Sequence, residues 1–287
     1  MALALLETGS AAAARDLAEQ ACTLDPGWVD AWFVLAETSE RVGDRERAIA
    51  AYRRCLALEP QDRLGAGARL TLLGAAGTPD RLPNAYVRAL FDQTARRFEE
   101  SLVGRLEYRA PERLVQCLEP FRAAMPSSLA ILDIGCGTGL AGVLLRSWAV
   151  RLDGFDLSPL MVAETRRKNI YDAVAVADLI DVPPDDAPRY GLAVAADVLC
   201  YVGDLAPAFD AIRARLIERG HLAFTVEAGD GAPYALGPAQ RFRHDPTAVE
   251  RWLTAAGFER LACERAVLRR ERREPVDGLV VVARRRA

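Results

Sequence analysis

The sequence predicts an α/β protein in which a doubly wound sheet of seven strands follows an all-α helical module. Short apolar runs alternate with helical patterns from Leu129 onward, which is typical of a mostly parallel sheet. A glycine-rich stretch, ILDIGCGTGL, follows the first of these runs. The preceding part of the chain has a different, repeated pattern. A length of 287 residues is enough for two domains.

The helical module is predicted from a repeat whose proline landmarks, Pro26 and Pro60, lie 34 residues apart. The second unit, residues 29–62, places large and small residues in the order Trp32, Leu35, Ala36, Gly43, Ala48, Tyr52, Pro60. This order resembles the tetratricopeptide repeat, a helix pair closed by a proline. The resemblance implies that Trp32 and Tyr52 fill the space between the two helices, and a shorter helix is expected over residues 63–74. An ordinary helical hairpin with accidental spacing is the alternative.

Fewer than three full repeats are rarely stable alone, so the module should pack against the rest of the chain or another subunit. It is interpreted either as a surface for a protein partner or for self-association, or as a structural cap. The proline-containing segment TPDRLPN marks its end. The predicted organisation is a helical module over residues 1–78, leader helices over 79–128 and the sheet domain over 129–287.

Seven apolar runs are predicted to be strands, over residues 129–134, 150–156, 173–178, 190–197, 221–227, 260–268 and 278–285. Helices are expected after Thr138, after Ser158, over residues 204–218 and over residues 246–256. The short connection between the last two strands favours an antiparallel pair. Seven strands with the last inserted antiparallel resemble the Rossmann-like sheet of class I methyltransferases.

The glycine loop indicates the cofactor. Asp133, Gly135, Gly137 and Gly139 follow the spacing D-x-G-x-G-x-G, whereas nicotinamide enzymes usually space their glycines G-x-G-x-x-G. The observed spacing resembles motif I of the S-adenosylmethionine-dependent methyltransferases. The resemblance implies that backbone N–H groups of the loop, including that of Cys136, receive the methionyl carboxylate. Asp133 would orient the loop or bind the ammonium group. A nicotinamide cofactor and a degenerate, non-binding fold are the alternatives.

Acidic residues at the next strand ends support the same cofactor. Asp156 ends the second strand and can accept hydrogen bonds from both ribose hydroxyls, and Asp178 ends the third, where this family commonly contacts the adenine amino group. Each alone is more often a turn residue or a helix cap. The remaining predicted cofactor contacts are Leu157, Met161 and Leu179 around the purine, with Tyr108, Ala196 and Asp197 elsewhere in the site.

The segments YVRALFDQTARRFEESL and LEYRAPERL resemble the leader of bacterial methyltransferases with N-terminal tetratricopeptide repeats. The resemblance implies a leader helix that lids the cofactor, with aromatic candidates at Tyr86, Phe91, Phe98 and Tyr108. Core packing is the alternative for Phe91 and Phe98, which stand at helical spacing.

The acceptor should bind at the carboxyl ends of the strands and under the long connection over residues 228–246. Asp197 and His244 are the catalytic candidates, and Tyr201, Glu227, Tyr234 and Arg241 are the substrate-binding candidates. RFRH, residues 241–244, resembles an R-[FY]-x-H element of the same bacterial group and suggests a base beside an anion clamp. His244 and Asp197 are alternatively helix or turn caps. Arg269, Arg270 and Glu271 are weaker candidates, and His221 is expected to be structural.

These patterns predict an S-adenosylmethionine-dependent methyltransferase that methylates oxygen or nitrogen of a small-molecule acceptor. The alternatives are a protein methyltransferase and a non-enzymatic adaptor, each docking its partner on the repeats. The net charge of −3 gives no pull toward nucleic acid. We expect no membrane anchor and no signal peptide, because the sequence has no long apolar run and no basic N-terminal region. Six scattered cysteines and two histidines favour a reducing cytoplasm and no metal site.

Overall fold

The computed structural model describes residues 10–95, 108–181, 183–184, 186–271 and 274–287. The chain forms two compact units. The first consists of Met1–Ala89 with Pro238–Gln240, and the second of Leu90–Gly237 with Arg241–Ala287.

The first unit is helical. Its helices are α1 (Ala11–Leu24), α2 (Val29–Arg41), α3 (Arg45–Leu58), α4 (Ala66–Leu72) and the start of α5 (Asn84–Thr94), within which the division between the units falls. The predicted short helix after the repeat is therefore confirmed as α4.

Helices α2 and α3 form the predicted pair. Gly43 turns the chain between them at a φ of 81°, a conformation that favours glycine. Ala36 and Ala48 are fully buried in the core that the two helices share. Tyr52 is also fully buried, and its hydroxyl donates to Glu40 at 3.1 Å. Trp32 packs against the same core but is only half-buried, and its indole N–H donates to the carbonyl of Pro26 at 3.0 Å.

The second unit contains the sheet. Its strands are β1 (Ala130–Ile134), β2 (Arg151–Asp156), β3 (Ala173–Val176), β4 (Tyr190–Ala195), β5 (Leu216–Ala228), β6 (Tyr234–Leu236), β7 (Phe242–His244), β8 (Phe258–Glu271) and β9 (Glu274–Arg285). The main order is β3-β2-β1-β4-β5-β9-β8, and β9 is antiparallel to both of its neighbours. The predicted antiparallel insertion of the last strand is confirmed.

A short hairpin of β6 and β7 was not predicted. It lies inside the connection expected to be a loop over residues 228–246, and β7 pairs in parallel with the last two residues of β5. Its strands are only three residues long, too short for an alternating pattern to be recognised.

The helices of the second unit are the end of α5, α6 (Ala110–Leu118), α7 (Leu140–Leu145), α8 (Pro159–Arg167), α9 (Ala206–Arg215) and α10 (Pro246–Ala255). Two apolar clusters form its core, one that includes Phe209 and Phe224 and another that includes Leu114 and Leu145. Residues of β1 alternate between them, with Ile134 in the first and Ile131 in the second. Strands β1 to β4 run parallel, so their carboxyl ends lie together at one end of the sheet. The glycine loop begins there. Within the described residues no helix is both long enough and apolar enough to span a membrane.

Candidate functional site

The glycine loop connects β1 to α7 and has a backbone that only glycine adopts without strain. Gly135, Gly137 and Gly139 have φ values of 60°, 55° and 88°. A Cβ at Gly135 would also lie 2.5 Å from a methyl group of Val198. The loop is thus held in a narrow, strongly turned form between two strand ends.

Neighbouring side chains fix this loop. The N–H of Gly137 donates to Asp156 at 2.9 Å, and the hydroxyl of Thr165 donates to the Gly137 carbonyl at 2.5 Å. Thr138, at 3% exposure, has a hydroxyl that finds no hydrogen-bond partner in the part of the chain that the structure describes. The loop therefore presents a fixed backbone and a buried polar group that a bound ligand can satisfy, which fits the methionyl end of S-adenosylmethionine.

Asp133 lies beneath the loop. It is 1% exposed, and the Tyr171 hydroxyl donates to its Oδ2 at 2.5 Å. Burial raises the pKa of the Asp133 carboxyl to about 7, although the bond from Tyr171 opposes this rise. Of the two predicted roles, this geometry favours orienting the loop over binding an ammonium group. Sequence analysis missed Tyr171, because nothing local distinguishes it from an ordinary tyrosine before a strand.

Asp156 stands at the end of β2 beside the loop, as the sequence predicts. Its two oxygens accept from the N–H groups of Ser158 at 2.8 Å and Gly137 at 2.9 Å. Burial raises the pKa of this carboxyl, and the backbone donors counteract the rise. Asp156 links two loops at the sheet edge while each of its oxygens keeps lone pairs for a hydroxyl donor.

The predicted purine contacts differ in accessibility. Asp178 and Leu157 are half-buried, and Asp178 lies in the turn after β3, where its Oδ1 accepts from the N–H of Ile180 at 3.3 Å. Met161 is fully buried and Leu179 is 7% exposed. Those two side chains offer little or no surface to a ligand, because both are packed inside the protein.

A buried guanidinium–carboxylate cluster lies at the ends of the next strands. We use the name Arg269 cluster for Arg269, Asp197, Glu227, Glu271, Arg241 and Tyr201. Arg269 is 1% exposed and donates from Nη1 to both oxygens of Asp197 at 2.9 and 3.2 Å, from Nε to Glu271 at 2.8 Å, and from Nη2 to Glu227. The cluster joins the loop after β4 to β5 and β8.

Arg241 forms the more open side of the cluster, its side chain being 20% exposed. Its Nε donates to the Tyr201 hydroxyl at 3.2 Å, and its Nη1 binds Glu271. Burial raises the pKa of Tyr201, which therefore stays protonated at neutral pH. Burial alone would raise the pKa of Glu271, but Arg241 and Arg269 hold it below its usual value.

Aromatic side chains connect this cluster to the leader segment. Phe91, in α5, packs edge-on against the Tyr201 ring with centroids 5.5 Å apart. Burial raises the pKa of Tyr108, and the charge of Asp197 adds to this rise. Tyr108 packs against the second apolar cluster of the core. Phe98 lies outside the described residues.

His244 is set apart from these groups. It is fully buried, and its Nε2 lies 2.9 Å from the Val202 carbonyl oxygen and 3.1 Å from that of Gly203. Burial lowers its pKa to about 4, so the ring is neutral at physiological pH. Asp245, not His244, caps α10, since its Oδ1 accepts from Thr247 and Ala248.

Tyr234 belongs to the surroundings of His244. Its ring packs against Phe242 and Trp252, and a Cβ at Gly203 would overlap it. Ala196, the remaining predicted contact, is half-buried at the end of β4 next to Asp197. His221 is buried in β5 beside Leu192 of β4, away from the carboxyl ends of the parallel strands.

Known proteins share both parts of this chain. Residues 105–262 match the family described as Methyltransferase domain, and residues 29–72 match the tetratricopeptide repeat. Human methyltransferase-like protein 27 is 32% identical over 116 residues, which cover 40% of this chain and 46% of that protein. A malonyl-[acyl-carrier protein] O-methyltransferase of Halorhodospira halophila is 33% identical over 117 residues, 39% of this chain and 38% of that protein. The chain therefore spans less than half the length of these curated relatives.

Solved structures share the fold. A 1,6-didemethyltoxoflavin-N1-methyltransferase of Burkholderia thailandensis, solved with S-adenosylhomocysteine, superposes with a TM-score of 0.56 at 19% identity, covering 74% of this chain and 94% of that one. Magnesium protoporphyrin IX methyltransferase of Synechocystis PCC 6803, also solved with S-adenosylhomocysteine, gives a TM-score of 0.53 at 18% identity, covering 70% and 99%. The predicted fold class and cofactor are confirmed, and the chain belongs to the class I S-adenosylmethionine-dependent methyltransferases, with a tetratricopeptide repeat near its N-terminus.

Proposed function

We propose that this chain transfers the methyl group of S-adenosylmethionine to an oxygen or nitrogen of a small-molecule acceptor, and that the preferred acceptor is a carboxylate. When bound, the cofactor supplies an electrophilic methyl group on a sulfonium. The chain's own residues then have to align the acceptor with that methyl group and keep water out.

The N–H groups of Cys136, Gly137 and Gly139 donate to the Phe155 carbonyl, to Asp156 and to the Cys136 carbonyl, so the predicted contact from the Cys136 N–H is not available in this form of the loop. The methionyl carboxylate is proposed to bind at the remaining N–H groups of the loop over residues 135–139, with Asp133 orienting the loop from below. Asp156 is proposed to accept from the ribose hydroxyls and Asp178 from the adenine amino group, beside Leu157. Tyr108, Ala196 and Asp197 would lie at the methionyl end. The support for these residues, apart from Tyr108, is their shared position at or just after the carboxyl ends of β1 to β4, whereas Tyr108 comes just before α6.

Arg241 is the observation that carries the acceptor proposal. Its Nε and Nη1 are bonded to Tyr201 and Glu271, and among the described residues Nη2 has no hydrogen-bond partner. A guanidinium held rigidly on one side and partly exposed on the other is suited to a carboxylate. The Tyr201 hydroxyl, kept protonated, can donate to the same acceptor group.

Among the residues that the structure describes, the candidates His244, Asp197 and Glu227 are not placed to act as a general base. His244 points its Nε2 at two carbonyl oxygens and is enclosed by protein, so we propose that it is structural rather than catalytic. Both oxygens of Asp197 face Arg269, and Glu227 also binds Arg269, so neither is free to take a proton. An acceptor that is already ionised needs no base, and carboxylates meet that condition at pH 7.

The proposal is tested by incubating the purified full-length chain with S-adenosylmethionine and matched pairs of small acids and their primary amine analogues, and measuring S-adenosylhomocysteine release. Acids should be methylated and the amines should not. Arg241→Met should raise KM for an acid at least 10-fold while the dissociation constant of the cofactor changes little. Turnover of amines without turnover of acids would contradict the carboxylate assignment.

The repeat supports a second candidate, a protein acceptor docked on the helical module proposed over residues 1–78. The match over residues 29–72 is the observation that favours it. The test is to add the chain and methyl-labelled S-adenosylmethionine to a desalted lysate, with and without the small-molecule fraction restored. Label in protein would favour docking, and label that depends on the restored fraction would favour a small acceptor. Cofactor binding with no transfer to either fraction would favour an adaptor.

A further inference from the structure

Tyr171 occupies a slot lined by three glycines of the cofactor-binding region. A Cβ at Gly139 or at Gly154 would lie 3.0 Å from its ring, and a Cβ at Gly142 would overlap its hydroxyl. These glycines come from the end of the loop, from β2 and from α7. The ring is therefore packed tightly against Gly139 and Gly154, and its hydroxyl occupies the space that a side chain at Gly142 would need.

The Tyr171 hydroxyl also reaches the start of the loop, through its 2.5 Å hydrogen bond to Asp133. Asp133 lies two residues before Gly135, and at 1% exposure it has no access to solvent. The two contacts place Tyr171 against both ends of the loop, with its ring at Gly139 and its hydroxyl at Asp133. Shifting either end would require moving a packed aromatic ring.

Asp133 is consequently engaged inside the protein. For its carboxylate to contact a cofactor it would have to give up the hydrogen bond from Tyr171. A buried carboxylate that loses a donor is disfavoured, because no water replaces that donor. Asp133 therefore contributes to cofactor binding by holding the loop and not by a direct ion pair.

We propose that Tyr171 is a positioning residue for S-adenosylmethionine, acting through Asp133 to keep the loop over residues 135–139 in its binding form. The inference rests on the proposed cofactor site but concerns a residue that the site itself does not include. Tyr171 is not a catalytic residue, since it acts only through its neighbours.

The test compares Tyr171→Phe with Tyr190→Phe by calorimetric titration of the full chain with S-adenosylhomocysteine. Tyr190 is a matched control, because its hydroxyl donates to buried Asp153 at 2.8 Å in the same sheet and it lies at the start of β4, whereas the loop follows the end of β1. Both variants lose a buried tyrosine–aspartate bond. Tyr171→Phe should weaken binding about 10-fold, whereas Tyr190→Phe should leave it within about 2-fold of wild type.

A double-mutant cycle with Asp133→Asn identifies the route. If Tyr171 acts through Asp133, the double variant should bind S-adenosylhomocysteine about as weakly as whichever single variant binds it less tightly. The reason is that both changes remove the same Tyr171–Asp133 hydrogen bond. Wild-type affinity in Tyr171→Phe, equal weakening in Tyr190→Phe, or fully additive losses would each overturn the inference while leaving the cofactor site in place. Absence of binding by the wild-type chain would overturn the proposed function and this inference with it.

Discussion

Replacing Arg269 with methionine should strongly destabilise the sheet unit. Arg269 is 1% exposed and binds three carboxylates, two of which, Asp197 and Glu227, have side chains only 13% and 5% exposed. Removing the guanidinium leaves these charges buried without their partner. Breaking a buried ion pair from one side costs about 3–5 kcal/mol, a large part of the 5–15 kcal/mol that typically stabilises a domain.

The assay is urea unfolding followed by tryptophan fluorescence, in a background where Trp28 and Trp32 are changed to phenylalanine. The remaining tryptophans, Trp148 and Trp252, lie in the second unit, so the signal reports on that unit alone. The matched control is Arg260→Met on the same strand, where the ion pair with Glu250 is 43% and 39% exposed and should contribute about 0.5 kcal/mol or less.

The pH dependence provides a second check on Arg269→Met. Burial alone would raise the pKa of Glu271, but Arg241 and Arg269 hold it below its usual value of 4.5, so this contribution to stability is present above pH 4.5 and is lost as the pH falls below it. The loss of stability caused by Arg269→Met should therefore be full near pH 7 and shrink below about pH 4.5. A loss below about 1 kcal/mol, or one equal to that of Arg260→Met, would refute the view that Arg269 compensates the buried carboxylates. A loss of unfolding free energy that becomes larger as the pH is lowered would also refute this view.

Three further outcomes are expected. Asp156→Ala should weaken S-adenosylhomocysteine binding in calorimetry by about 100-fold at most, and unchanged affinity would refute its ribose contact. Gly135→Ala should weaken binding and lower the thermal midpoint, with partial recovery on adding Val198→Ala, because that change relieves the clash at 2.5 Å but not the φ of 60°. His244 has its pKa lowered from 6.5 to about 4, so its stabilisation is complete above pH 6.5 and is lost as the pH falls toward 4, by about 3 kcal/mol at most. The difference in urea midpoint between wild type and His244→Gln should therefore narrow on acidification, and a constant difference would contradict the assignment.

The cofactor side of the site could be predicted because its determinants are local. Asp133 and the three glycines lie within seven residues, and the positive φ values that the loop needs select glycine directly. Asp156 follows from the same logic, since strand ends of a parallel sheet meet at one edge. Tyr171 could not be found this way, because its contact with Asp133 spans 38 residues and has no periodic signal.

The contacts of the Arg269 cluster, where the acceptor is proposed to bind, could not be predicted because they join residues that are distant in sequence. Arg269 meets Glu227 and Asp197 across 42 and 72 residues, and an arginine near a strand end is ordinarily solvated. One local sign exists, since Arg269 and Glu271 are two apart on a strand and so share a face. His244 is a catalytic candidate in the sequence because it stands beside Arg241, and the burial that leads us to propose a structural role could not be foreseen, since the short hairpin that contains it has no sequence signature.

The residues around the glycine loop and those of the Arg269 cluster form two separate groups of contacts. The loop, Asp133, Tyr171 and Asp156 form a set whose members bond to one another or pack together. If the loop binds the cofactor as proposed, cofactor binding constrains all of them. Arg241 is tied to the other set, through Tyr201 and Glu271. Substitutions at Arg241 should therefore change which acceptor is methylated while leaving cofactor affinity unchanged, because contacts in separate networks contribute additively. If Arg241 binds the acceptor as proposed, substitution at this partly exposed position of the Arg269 cluster is the change expected to alter the acceptor while leaving buried Arg269 and Asp197 in place.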